Sequence, residues 1–344
     1  MKIAVDTAGV EPGSRTVVEG ALAAWRRSVS LGDPIEPVLY GSEEEIRSVL
    51  NELGESEKNL AIVHAPDIIT MQDHPRDILS SKQSSSILQA VKHLAVGMVS
   101  AFVSMGNTGA VVGVCRTYLG RVRWINKPAL SVPLPRKNRI GLLLDVGATA
   151  DPKANHLVQY AAMGAAFSEQ VHHIPNPRIG LLNIGEESHK GDELTRDTFR
   201  LLSRSPLNFI GNIEGGDIFN DRADVIVTSG FVGNILLKFI ESIPSILFER
   251  VGNYPWVQSL RESFADLDYT HWGGATLLGV NGTVVIGHGR SQVKAITQAL
   301  LWAQKMVRAN LTLVLRDRVF RTRRALWLSN PFSRGEIGDE DDEQ

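Results

Sequence analysis

Two glycine-bracketed turns carry the residue types that hold anions. Gly106-Asn107-Thr108-Gly109-Ala110 joins an apolar run to a helical pattern. The first N–H groups of a helix lack intrahelical partners and carry the positive end of its dipole. Glycine lets an anion approach closely, and Asn107 and Thr108 can add side-chain donors, so the turn suits a phosphate or a developing oxyanion. The same residues read equally as a tight turn with Thr108 capping the helix. Ser229-Gly230-Phe231-Val232-Gly233-Asn234 opens a second helical pattern. Asn234 and Lys238, four apart, share one of its faces and would offer an amide and a cation to the same kind of anion. Lys190 lies in a loop bounded by Gly185 and Gly191 and brings a point charge that suits phosphate. An ordinary exposed first turn and an exposed loop lysine are the plain alternatives. Asp6 and Asp145 close apolar runs, where a carboxylate either joins the chemistry or orients a loop by accepting its N–H groups.

Absent motifs narrow the chemistry. The chain has no Walker A sequence, no G-x-G-x-x-G, no G-x-S-x-G and no H-E-x-x-H. Its nine histidines show no metal-ligand spacing, and the adjacent His172-His173 reads as a solvated helix end. No metal and no organic cofactor is expected. Several anion-friendly turns without a covalent nucleophile suit direct attack by a bound small nucleophile, catalysed by positioning and by oxyanion stabilisation.

Short apolar runs alternate with amphipathic stretches. Strands are predicted at Lys2–Thr7, Glu36–Tyr40, Leu60–His64, Ala101–Ser104, Leu130–Leu134, Ile140–Val146, Ile179–Ile184, Asn208–Asn212, Asp224–Thr228 and Thr283–Gly287. Helices are predicted near 14–30, 43–53, 84–97, 108–119, 153–171, 191–204, 231–250 and 291–310. Unbroken apolar strands such as Ile140–Val146 are those of a sheet covered on both faces. The alternation predicts a doubly wound, mostly parallel α/β sheet, in which ligands bind outside the carboxyl ends of the strands. The candidate turns all follow predicted strands, as does Asn212-Ile213-Glu214-Gly215-Gly216. No linker splits the chain, so residues 1–310 are expected to form one α/β unit with a protruding helical insertion near 239–270.

With 344 residues, 43% apolar and 22% charged, the composition excludes collagen, disulfide scaffolds and a disordered chain. The single Cys115 excludes an intramolecular disulfide and fits a reducing compartment. The N-terminus lacks the pattern of a signal peptide, and no uninterrupted apolar run of 18 residues predicts a membrane span. The net charge of −2 hides an asymmetry: residues 335–344 hold six acids and no base, and the remaining chain sits near +4. This tail is predicted to be disordered.

The order of these loops resembles the PlsX family of fatty acyl-ACP:phosphate acyltransferases. The matching stretches are MKIAVD (1–6), SMGNTGA (104–110), LLLDVGATAD (142–151), HLVQYAAMG (156–164), RIGLLNIGEESHKGDELT (178–195), NFIGNIEGGDI (208–218), ADVIVTSGFVGNILLK (223–238) and GGATLLGVNGTVVIGHGRS (273–291). The resemblance implies a three-layer α/β/α sandwich like those of isopropylmalate dehydrogenase and phosphotransacetylase. It implies a reaction in which inorganic phosphate attacks the thioester of a long-chain acyl carrier protein, giving acyl phosphate. That product would serve a membrane glycerol-3-phosphate acyltransferase in phospholipid synthesis. By the same resemblance the protein is a cytoplasmic homodimer attached peripherally to the membrane, without a nucleic-acid partner. Gly106, Asn107, Thr108, Gly109, Asp145, Asn212, Glu214, Gly233 and Ser291 would bind or shape, and Lys190, Asn234, Lys238 and His288 would catalyse. Lys190 and the 106–109 turn are expected to hold phosphate, Asn234 and Lys238 phosphate or the thioester carbonyl. His288 would protonate the leaving thiol, unless it is simply a satisfied core residue.

Three places depart from the family pattern. The first loop reads Asp6-Thr7-Ala8-Gly9-Val10-Glu11 in place of Asp-Ala-Met-Gly-Gly-Asp. Ser229 replaces a usual Asp, and a basic run has thinned to Ser80-Ser81-Lys82-Gln83. These changes leave two other readings open, a catalytically impaired membrane-associated homologue that binds acyl-ACP and a phosphotransacetylase-like enzyme using acyl-CoA. Phe239, Ile243, Ile246, Leu247 and Val251, with Tyr254 and Trp256, form an apolar stretch that suits a dimer contact or a membrane-touching tip. Residues 311–330 are predicted to form a basic amphipathic helix, suited to anionic lipid, to the acidic carrier protein, or to pairing with the acidic tail.

Overall fold

The computed structural model describes residues 1–56, 60–70, 72–73, 75–136, 139–251 and 272–329. Most of the insertion after residue 251, with Tyr254 and Trp256, and the acidic tail at 331–344 lie outside the described residues. In chain order the elements are β1 (Lys2–Asp6), α1 (Ser14–Ser30), β2 (Glu36–Gly41), α2 (Glu43–Glu52), β3 (Ala61–His64), α3 (Pro75–Ser81), α4 (Ser86–Ala95), β4 (Ala101–Ser104) and α5 (Thr108–Tyr118). There follow β5 (Ala129–Pro135), β6 (Ile140–Leu144), α6 (Ala154–Val171), β7 (Ile179–Leu182), α7 (Glu193–Leu202), β8 (Phe209–Ile213) and β9 (Val225–Val227). The last are α8 (Gly230–Val251), β10 (Ala275–Leu278), β11 (Thr283–Ile286), α9 (Val293–Arg308) and α10 (Leu311–Ser329). All ten predicted strands and all eight interior helices are present; β10 and the short α3 were not anticipated.

The chain divides into two compact units, Met1–Gly120 with Leu247–Arg308, and Arg121–Ile246 with the residues from Ala309 onward. In the first unit the strand order is β3-β2-β1-β4-β11-β10, parallel except for the antiparallel β10–β11 pair. Side chains alternate across a strand. Ile3, Val5, Ala101, Val103 and Val285 therefore gather on one face, with apolar residues of α1, α2 and α9. The fully buried Ala4 and Phe102 take the other face, where α4 packs on β1, β2 and β4. Burial on both faces is why these strands read as unbroken apolar runs.

In the second unit the order is β5-β6-β9-β7-β8, with β5–β6 antiparallel and the rest parallel. Helix α6 lies on β6 and β9, α7 borders it, and α10 packs on its far side. The run of small residues Ala161, Ala162, Gly164, Ala165 and Ala166 lets α6 come close to the strands. A Cβ at Gly164 would sit 2.5 Å from Cγ1 of Val225. At the starts of β7 and β9, the buried Asp224 accepts from Arg178 Nε and Nη2, each at 3.0 Å, and from Arg139 at 3.4 Å.

Gly→Ala in an open helix interior gains about 1 kcal/mol. At Gly164 the sign reverses: overpacking against Val225 is expected to make Gly164→Ala less stable by about 1–3 kcal/mol, read from urea denaturation.

Candidate active site

Each unit holds one group of the candidate residues, and each group is organised around a buried carboxylate at a strand end. In the first unit this is Asp6, 2% exposed. It accepts from Ser86 Oγ at 2.6 Å, Ser104 Oγ at 2.7 Å and the Ala8 N–H at 3.0 Å. The Ser104 hydroxyl in turn accepts from the Gly106 N–H at 3.1 Å. One carboxylate thus ties the loop after β1, the start of α4 and the turn into α5. Burial pushes the Asp6 carboxyl up to about 6, against the lowering effect of the two hydroxyls and the amide.

The Gly106–Gly109 turn divides its labour. Asn107, not Thr108, caps α5: its Oδ1 accepts from the Ala110 N–H at 3.0 Å. Its Nδ2 donates to the carbonyls of Thr70 and Asp73, both at 3.1 Å. The Asn107 amide is therefore committed to folding the turn. Thr108 and Gly109 are exposed on the first turn of α5, with their donors directed to no described partner. The loop after β1 runs against this turn, and a Cβ at Gly9 would lie 3.4 Å from the Gly106 Cα. The same loop reaches the 288–291 segment, where Glu11 N–H donates to the Gly289 carbonyl at 2.8 Å and Glu11 pairs with Arg290 at 3.3 Å. So the departures at Thr7–Glu11 still close the loop. Thr7 Oγ1 donates to the Tyr40 carbonyl at 2.9 Å, and Val10 is buried. His288 is exposed, and its Nδ1 accepts from the Arg290 N–H at 3.2 Å, which puts the proton of the neutral ring on Nε2. Ser291 donates its N–H to the His288 carbonyl at 2.9 Å, and its own hydroxyl is buried without a partner.

In the second unit the organiser is Asp145, fully buried at the end of β6. Its Oδ1 accepts from the N–H groups of Leu130 at 2.8 Å, Gly147 at 3.1 Å and Ala148 at 3.0 Å, and its Oδ2 from Thr149 at 2.8 Å. Burial raises its pKa, and the four amides oppose that rise. A carboxylate so fully engaged shapes the 146–149 loop and does not contact an anion itself. The start of α8 rests on this loop. A Cβ at Gly233 would fall 1.8 Å from the Asp145 carbonyl oxygen, and the Gly230 N–H donates to the Thr149 carbonyl at 3.0 Å. Ser229 accepts from the Val232 N–H at 3.3 Å, so the serine keeps the cap that the family's aspartate would supply. Asn234 is half-buried beside Gly147, and Lys238 is exposed one turn on. Neither side chain bonds to another described residue.

A third loop in that unit carries Lys190, which is exposed and makes no ion pair with a described residue. Buried Asn212 braces it by donating Nδ2 to the Glu187 carbonyl at 2.9 Å, and its Oδ1 is left without a partner. Asn183 Nδ2 donates to the Lys190 carbonyl at 3.1 Å, and Arg222 joins Glu186 to Asp217. Glu214 is exposed, and its N–H donates to Asp217 in the short 3₁₀ turn Gly215–Asp217. Thus Asp145, Gly233 and Asn234 come together, Asn212 meets the Lys190 loop, and Glu214 joins that loop through Asp217 and Arg222. The sequence reading missed Ser86, Ser104, Asn183 and Arg222. The hydroxyls lie 80 and 98 residues from Asp6, and only strand adjacency reveals them.

Residues 1–314 match the family model described as "Fatty acid synthesis protein". The phosphate acyltransferase of Dictyoglomus turgidum is 43% identical over 324 residues, which is 90% of this chain and 94% of that protein. The phosphate acyltransferase of Desulforudis audaxviator is 40% identical over 323 residues, again 90% and 94%. Among solved structures, a phosphotransacetylase from Streptococcus pyogenes superposes with a TM-score of 0.59 at 16% identity, over 89% of this chain and 94% of that one, which shows a shared fold. The chain belongs to this fatty acid synthesis protein family. It is an enzyme of the acyltransferase class.

Two outcomes follow from the two organisers. Asp6 holds its proton more tightly folded than unfolded between its ordinary value of 3.8 and about 6. Its contribution to stability is therefore full below the lower value and lost as pH rises through the upper one, by about 3 kcal/mol. The stability of the wild type minus that of Asp6→Asn is expected to fall by that order between pH 4 and 7 in denaturant titrations; a flat difference refutes the assignment. Gly233→Ala is expected to cost about 3 kcal/mol, because the new methyl meets backbone that Asp145 holds fixed.

Proposed function

We propose that this chain transfers a long-chain fatty acyl group from acyl carrier protein to inorganic phosphate, giving acyl phosphate for phospholipid synthesis. Membership of the acyltransferase family supports acyl transfer to phosphate. The observation that carries the reading is the start of α8, where Asn234 presents an uncommitted amide just past the first turn and Lys238 an uncommitted cation one turn further on.

A phosphate oxygen attacks the thioester carbonyl carbon. The new C–O bond gives the mixed anhydride, the C–S bond breaks, and the carrier thiol leaves with a proton. In this assignment Lys190 and the Thr108–Gly109 turn hold phosphate, and Asn234 and Lys238 stabilise the charge that grows on phosphate and carbonyl oxygen. His288 is assigned to protonate the leaving thiol, and the proton it gives is replaced from the hydrogen phosphate, which loses its own on forming the anhydride. Asp145, Asn212, Gly233 and Gly106 hold the loops in place, as their hydrogen bonds and close approaches support. Helix α8 exposes Phe231, Ile235, Phe239 and Ile246. Its stretch Gly230–Arg250 is long and apolar enough, by length and composition alone, for a membrane span. That face suits a homodimer contact or peripheral attachment of a cytoplasmic enzyme that hands acyl phosphate to a membrane glycerol-3-phosphate acyltransferase.

Purified protein incubated with palmitoyl-ACP and hydroxylamine is expected to give hydroxamate only when phosphate is present. Lys190→Ala and Asn234→Ala are each expected to lower turnover by about a hundredfold or more, the usual loss for one oxyanion donor. No phosphate-dependent product overturns the reading, and faster reaction of palmitoyl-CoA moves the donor from the carrier protein to the coenzyme.

A further inference from the structure

Helix α10 lies largely beyond the family match, which ends at residue 314. Its inner face is satisfied: Leu315, Val319, Thr322 and Leu326 are buried, α10 packs on α6, and Arg318 pairs with Glu169. Its outer face is not. Leu313, Phe320 and Trp327, seven residues apart and so nearly in line along the helix, are 45%, 41% and 45% exposed. Arg316 and Arg323 flank this line on one side, and Arg321 and Arg324 on the other. The patch continues onto the segment before β5. Trp124 stacks on Phe320 with ring centroids 5.6 Å apart, and the guanidinium groups of Arg123 and Arg323 lie 4.5 and 5.1 Å from the Trp124 ring.

From this arrangement we propose that the outer face of α10, with Arg123 and Trp124, is a docking surface for an anionic lipid bilayer. Charge complementarity selects the occupant. Arginine donors match lipid phosphates, and each basic residue near a negative leaflet adds a similar increment of attraction. The Leu-Phe-Trp line sits at the depth where apolar side chains enter the headgroup boundary and indole rings prefer to lie. Residues 335–344 of this chain would match the charge, but Ile337 alone could cover the apolar line. An acidic protein surface matches the arginines and leaves Trp327 in water. The proposal is independent of the acyl donor, and its test reads no turnover.

The experiment compares the full-length protein with Arg316→Gln/Arg321→Gln/Arg324→Gln and with Trp327→Ser. Each is sedimented with vesicles of phosphatidylcholine alone or mixed with phosphatidylglycerol. All four side chains are exposed, and thermal unfolding serves as the folding control. The wild type is expected to favour the mixed vesicles. It should leave them as salt rises from about 0.1 to about 1 M and the screening length falls from ~10 to ~3 Å. At about fivefold per arginine, the triple variant should lose about a hundredfold in partitioning onto the mixed vesicles and nothing on the neutral ones. Trp327→Ser should weaken both. Equal partitioning of wild type and triple variant, or no preference for the mixed vesicles, overturns the proposal. So does a triple variant that still binds vesicles but no longer binds acyl carrier protein.

Discussion

A carboxylate that accepts four backbone N–H groups is the constraint on which the second unit's chemistry rests. Asp145 collects the amides of Leu130, Gly147, Ala148 and Thr149, and so fixes a loop whose own carbonyls then receive the start of α8. Buried charge is tolerated there because each carboxylate oxygen accepts at least one backbone N–H. The result is a helix N-terminus set down on rigid backbone, with glycine at positions 230 and 233 because no side chain fits in the gap. Asn234 and Lys238 inherit their direction from that seat. The arrangement separates tasks: the acid folds the loop, and the neutral and cationic side chains remain for the anion.

The first unit repeats the device with hydroxyls in place of amides. Asp6 binds Ser86 and Ser104, and Ser104 passes the constraint to Gly106. Burial pushes the Asp6 carboxyl up to about 6, which makes its loop set sensitive to its protonation state, and burial raises the Asp145 carboxyl too, against the lowering effect of four amides. The two units thus share a design and differ in the donors that serve it.

Much of this was legible in the sequence because the signals were local. Apolar runs marked the buried strands, and glycine with short polar residues marked the turns after them. The order of those turns carried the family resemblance. What escaped was short or non-local. Strand β10 has four residues between glycines, and its partner is β11, antiparallel in a sheet otherwise read as parallel. Helix α3 begins at a proline and spans seven residues. The cap of α5 fell to Asn107 instead of Thr108, a choice between neighbours that only the backbone angle decides. Asn107 and Asp145, read as binding a ligand or shaping its site, spend their polar atoms on the loops themselves, since spacing cannot say which way a side chain turns.

The chain path adds a constraint on biosynthesis. The first unit begins at Met1, is interrupted after Gly120 and resumes at Leu247. Strand β4 must wait for β11, about 180 residues downstream, and α1 for α9, whose Thr297 hydroxyl reaches the Gly20 carbonyl. The second unit is continuous from Arg121 to Ile246 but lacks the cover of α6 until α10 arrives. On a ribosome adding residues from one end, the first unit cannot close its core before β11 and α9 are made, nor the second before α10. The early strands therefore keep unpaired edges through most of translation, the condition in which a nascent chain is open to mispairing.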